Sequence, residues 1–166
     1  MEKKSKSSII PTKILAPDNV EILHEVQIPE SVLADQKEKG EVVLMFPSDE
    51  AKDISAMSRE ELLKIKRVIL IDSTWSQTKY YLRQPILNDI QHVKILTEKT
   101  LFWRYQKGMS DTSLSTVEAL YFFFRDFETT LHHNGDYGEY VRQGGIWDNL
   151  LYYYVFNYRL IQHNYK

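Results

Sequence analysis

The sequence contains no cysteine, and that absence alone excludes a disulfide framework, a thiolate-held zinc or iron–sulfur site and thiol nucleophilic catalysis. Glycine and proline are also scarce, at six and five of 166 residues, so the chain is neither collagen-like nor a linker-rich low-complexity protein. No apolar run approaches the roughly 18 residues that a membrane-spanning helix needs. The Lys- and Ser-rich start has no apolar stretch behind it to act as a signal peptide. The expectation is an intracellular protein with no membrane partner. Neither charge sign dominates: 21 Lys and Arg face 23 Asp and Glu, which weakens a reading as a coat for nucleic acid. Neither G-x-G-x-x-G nor G-x-x-x-x-G-K-[ST] occurs, leaving dinucleotide and nucleoside-triphosphate binding without a motif. Five histidines include the neighbours His132 and His133, but adjacent side chains project apart and no carboxylate stands at a metal-site spacing, so no metal is expected.

What is present is an ordinary globular composition, 43% hydrophobic and 27% charged, in a length that favours one domain with one core. Residues 1–10 read as a flexible basic N-terminus, with Lys3, Lys4 and Lys6 among serines, and residues 11–166 as the domain. Val20–Ile28 suggests a modest strand ended by Pro29, and Ser31–Gly40 a polar connector. Glu41–Phe46 and Arg67–Ile71 are compact, β-branched-rich runs of strand length, expected as central strands buried on both faces. Between them Ser58 with Glu61 three residues on has the spacing of a capping box and starts a short helix to Lys64. Ser73 or Thr74 caps a further helix over Trp75–Arg83, and His92–Leu96 reads as another strand. Strand–helix alternation predicts an α/β fold, a mostly parallel sheet with helices on both faces and ligands at the strand C-terminal ends.

The C-terminal third is helical and aromatic. Ser115 and Glu118 repeat the S-x-x-E spacing, and Val117, Leu120, Tyr121, Phe124, Phe127 and Leu131 follow at three- and four-residue intervals. After a Gly-containing loop over His132–Gly145, a second aromatic helix spans Ile146–His163.

The chemistry concentrates at Ile71-Asp72-Ser73-Thr74-Trp75, where a buried strand delivers a carboxylate, two hydroxyls and an indole to a strand-to-helix turn. The same residues also fit a bland reading, with Asp72 or Ser73 an N-cap and Trp75 core. Asp72-Ser73-Thr74-Trp75 resembles the D-x-T-W signature of DTW-domain proteins, and Leu114-Ser115-Thr116-Val117-Glu118-Ala119 is similar to that family's L-S-T-x-E-A motif. Phe102-Trp103-Arg104-Tyr105-Gln106-Lys107-Gly108 resembles the basic-aromatic segment between them, and Lys13–Pro17 an upstream family stretch. The order of the motifs matches, over most of the chain.

The resemblance implies a tRNA-uridine aminocarboxypropyltransferase that moves the 3-amino-3-carboxypropyl group of S-adenosylmethionine to N3 of a uridine in tRNA and releases methylthioadenosine. It also implies a SPOUT-like, knotted α/β fold and a nuclear location, the cytoplasm being the alternative. Carried onto matching positions, it makes Asp72, Thr74 and Trp75 catalytic. Ser73, Leu96, Leu114, Ser115, Thr116 and Glu118 become donor contacts, and Trp103, Arg104 and Lys107 RNA contacts. Asp72 would serve as general base for the N3 proton or as an electrostatic guide to the sulfonium, and both roles stay open. Trp75, Phe102 and Trp103 offer stacking surfaces for an unpaired base or the adenine. Helix-start donors at Ser113, Ser115 and Thr116 suit a carboxylate, while Ser115 with Glu118 also fits a plain capping box. From Lys79 to Lys107 six bases face two acids, a surplus of the sign phosphates require.

The chain lacks the cysteine-rich and His-Pro-x-Glu stretches that family members carry upstream, so it reads as an amino-terminally short member. That leaves two rivals to an active transferase: a non-catalytic module binding S-adenosylmethionine or RNA, and an α/β interaction domain whose motifs are architectural.

Overall fold

A computed structural model of the chain describes residues 7–24, 27–33, 36, 38–95, 99–100, 113–133 and 147–164; of Trp75, Ser76, His133, Ile161 and Gln162 it describes the backbone. Among the described residues four strands, β1 (Val42–Met45), β2 (Lys52–Asp53), β3 (Arg67–Ile69) and β4 (Gln91–Lys94), form a wholly parallel sheet in the order β2-β4-β1-β3. Helices α1 (Ile10–Leu15), α2 (Arg59–Lys64), α3 (Trp75–Leu82), α4 (Thr116–His133) and α5 (Tyr152–Asn164) surround it. The α/β, mostly parallel architecture is the one that strand–helix alternation predicts.

Pairing Val43 with Val68 and Met45 with Val93 puts these side chains on one face of the sheet. There they pack with Ile54, Met57, Leu62 of α2 and Phe123 of α4. The alternate residues Leu44 and Ile69 point to the other face, against Leu82 at the end of α3 and Leu87 and Ile90 beyond it. A third cluster joins Ile9, Leu120 and Leu150 to Ile22, Leu70 and Trp147, fastening the start of α1, the α4 helix and the short 3-10 turn Asp148–Leu151 before α5 together.

Local chemistry explains the element ends. Gly40 has φ +98°, a left-handed turn that a β-carbon disfavours, and β1 starts two residues later. Ser58 and Glu61 form the full reciprocal capping box of α2: the Ser58 hydroxyl accepts from the Glu61 N–H at 3.2 Å, and the Glu61 carboxylate from the Ser58 N–H at 2.8 Å. Lys52 ties β2 to this box through Glu61, whose carboxyl is lowered to about 2 by the Lys52 hydrogen bond first and the Ser58 N–H second.

Three expectations need correction. Residues 20–24 and 27–28 form no strand; Ile22 and Ile28 are single anchors into two different clusters, so their apolar spacing marks docking points of an irregular segment. Among the described residues β3 is an edge strand paired only with β1, and all three of its residues are half-buried, so it is not the central strand its β-branched run suggests. On α4 the most buried aromatic ring is Phe123, 1% exposed and stacked on Phe127, whereas Tyr121 is half-buried and donates its hydroxyl to Asp148. Most of the loop expected over His132–Gly145 lies outside the described residues.

Candidate active site

Beyond the β3 ladder Leu70 and Ile71 pack, half-buried, against two different clusters. This brings Asp72 to the end of the strand, exposed, with Thr74 as the N-cap position of α3: Gln77 and Thr78 N–H donate to the Thr74 carbonyl at 2.9 and 3.0 Å. Asp72 is therefore not a cap of α3. Its Oδ1 accepts from the Thr116 hydroxyl at 2.6 Å, and its Oδ2 accepts from the Ser7 hydroxyl. The D-x-T-W and L-S-T-x-E-A motifs, 44 residues apart, thus meet in one hydrogen bond.

Thr116 is held there by the way α4 begins. The Ser115 carbonyl accepts the Ala119 N–H at 2.9 Å, which makes Ser115 the N-cap. Glu118 Oε2 accepts from the Ser115 N–H, the Ser115 hydroxyl and the Thr100 hydroxyl, each at 2.8 Å. Glu118 and Ser115 are buried, 3% and 8% exposed, and Tyr154 of α5 lies against them, 5% exposed. Burial first and the neighbouring Glu118 charge second push the Tyr154 phenol well above the ordinary tyrosine range.

The helix-start donors expected to meet a ligand are engaged within the chain: Ser115 N–H on Glu118, the Thr116 hydroxyl on Asp72, and Val117 N–H on the Ser8 hydroxyl oxygen at 3.3 Å. Ser73 shares a hydrogen bond with Thr78 at 3.1 Å. Thr74 is exposed and its side chain makes no capping bond; Leu114 and Ser113 are half-buried beside the cap. The structure therefore brings Asp72, Ser73, Thr74, Ser115, Thr116 and Glu118 to one end of the sheet. The Trp75 backbone opens α3. Leu96, Phe102, Trp103, Arg104 and Lys107 lie outside the described residues. Among the described residues no cluster of side chains could hold a metal ion, and no helix is long and apolar enough to cross a membrane.

Four contributors escape a reading of the sequence. Ser7 and Ser8 sit in what composition marks as a flexible terminus, yet their hydroxyls contact Asp72 and α4, and Ile9 next to them is 8% exposed. Thr100 falls in no motif. Tyr154 is marked by helical periodicity as inward-facing, but periodicity says nothing of the carboxylate its phenol meets.

A parallel sheet with helices on both faces, and a strand-end carboxylate bonded to the first residue of a long helix, defines an α/β protein whose candidate site lies at the strand C-terminal ends. The chain belongs to the DTW-domain family, whose model matches residues 2–162. It is 34% identical to tRNA-uridine aminocarboxypropyltransferase 1 of Rattus norvegicus and 34% to that of Mus musculus, each over 97% of this chain and 62% of the relative. The Homo sapiens protein of the same name is 32% identical over the same shares. The chain spans about 62% of the length of these relatives. No solved structure matches it.

Proposed function

We propose that this chain transfers the 3-amino-3-carboxypropyl group of S-adenosylmethionine to N3 of a uridine in tRNA. The observation that carries the reading is the contact between Asp72 and Thr116, which joins the two motifs of a family whose matching relatives bear the name tRNA-uridine aminocarboxypropyltransferase 1. In the step, N3 attacks the γ-carbon of the donor's amino-acid chain, the new N–C bond forms as the C–S bond breaks, and sulfur keeps the bonding pair and leaves as methylthioadenosine. The N3 proton passes to a base, for which Asp72 is the exposed carboxylate at the site. Thr116 orients it by donating to Oδ1.

Attack at the γ-carbon and not the methyl carbon is a matter of which carbon stands in line with the nucleophile, so pocket shape decides the product. Thr74 and Trp75 belong to the same turn as Asp72, and Ser73, Leu96, Leu114, Ser115, Thr116 and Glu118 to the surroundings of the donor. Trp103, Arg104 and Lys107 carry the RNA contacts. The reading includes a SPOUT-like topology and a nuclear site of action, the latter checked by imaging the tagged full chain.

Incubation with unmodified tRNA and S-adenosylmethionine labelled in the amino-acid carbons tests the reaction. Label in the RNA with release of methylthioadenosine is the expected result; label arriving only from the methyl group overturns it. A non-catalytic binding module is the second reading, favoured by the occupation of both Asp72 oxygens by hydroxyls of the chain itself. It requires donor binding with no methylthioadenosine formed.

A further inference from the structure

Glu118 stands out among the buried polar groups because three separate stretches of chain converge on it: Thr100 after β4, the Ser115 cap of α4, and Tyr154 of α5. A carboxylate 3% exposed has lost most of its hydration, and such a group persists in a core only when hydrogen-bond donors replace the water. Here they do, with three bonds of 2.8 Å on one oxygen. Thr100 and Ser115 are fifteen positions apart in sequence, so their common acceptor closes the intervening chain at its base, and the closure entropy is offset by bonds to a charged group.

We propose that Glu118, Thr100 and Tyr154 form a buried clasp of positioning residues that fixes the first turn of α4 and so sets where Thr116 meets Asp72. The clasp acts through the Thr116–Asp72 contact and touches no substrate. This departs from the family-based placement of Glu118 as a donor contact. Its kinetic arm rests on the transferase reading, and its structural arm does not.

The test uses the full chain with Thr100→Val and Tyr154→Phe, which remove a hydroxyl at nearly constant volume, and Thr100→Ser, which keeps the hydroxyl and loses a methyl group. Transfer kinetics are measured alongside the rate of tryptic cleavage after Lys99, the exposed residue next to Thr100. Thr100→Val and Tyr154→Phe should lower kcat about tenfold, with KM for S-adenosylmethionine unchanged, and should speed cleavage after Lys99 severalfold; Thr100→Ser should restore both. A raised donor KM at unchanged kcat would make these residues substrate contacts and overturn the clasp. So would cleavage rates equal to that of the parent chain in both hydroxyl-deleted variants. Should the parent chain show no transfer, the transferase reading falls, and the cleavage rates alone decide the clasp.

Discussion

Replacing Asp72 with Asn separates chemistry from architecture at the candidate site. Asn keeps the shape and one acceptor oxygen, so the Thr116 hydroxyl retains its bond, while the Ser7 hydroxyl, able both to donate and to accept, turns to receive the new amide hydrogen. Both bonds involve an exposed carboxylate, so the stability cost stays below about 1 kcal/mol. For a chain of this length that is a fall in Tm of no more than about 4 °C. The charge and the basicity are lost entirely. If Asp72 accepts the N3 proton, transfer slows by roughly 10²–10⁴-fold, which raises the barrier by about 3–5 kcal/mol. Single-turnover transfer to tRNA and a thermal melt of the same preparation give the two quantities. Transfer within a factor of three of the parent chain would refute the base assignment, and a fall in Tm of 10 °C or more would show that Asp72 holds the fold.

Phe123→Ala should cost about 3–5 kcal/mol, because it empties the centre of the main cluster under the sheet; a Tm drop near 10 °C in a melt checks it. Gly40→Ala forces a β-carbon into a left-handed turn and to 3.4 Å from Gln91 Oε1, so denaturant unfolding should show a loss of about 1–2 kcal/mol with an unchanged m-value. The Glu61 carboxyl, lowered from 4.5 to about 2, contributes stability above pH 4.5 that is lost as pH falls through about 2. Glu61→Gln should flatten that part of the acid melting curve; the change should be small, since both partners of the Lys52 pair are 40% exposed.

How much of this was legible beforehand depends on the range of the interaction. The Ser58–Glu61 box, the Trp75 start of α3 and the α4 helix depend on contacts within a few residues, and sequence spacing records those directly. Val42–Leu44 is legible as a buried strand because composition registers burial on both faces. Composition does not record pairing order, which is why Arg67–Ile69, equally β-branched, could not be distinguished from a central strand. Ile22 and Ile28 mimic a strand because two anchors into separate clusters leave an apolar spacing much like alternation. At the site, Asp72 is visible through its motif, but its partners are not. Ser7 is 65 residues away, and a serine in a Lys/Ser-rich stretch has no local pattern that would mark it.

The strand order has a consequence for synthesis of the chain. Among the described strands β2 touches the sheet only through β4, yet it leaves the ribosome about forty residues earlier, so Lys52–Asp53 has none of them to zip against until Gln91–Lys94 arrives and slots between it and β1. Among the described strands β1 and β3 can pair before then, as a two-stranded seed that already holds the β3 edge, and the opposite edge stays open until β4 joins β1 and takes up β2.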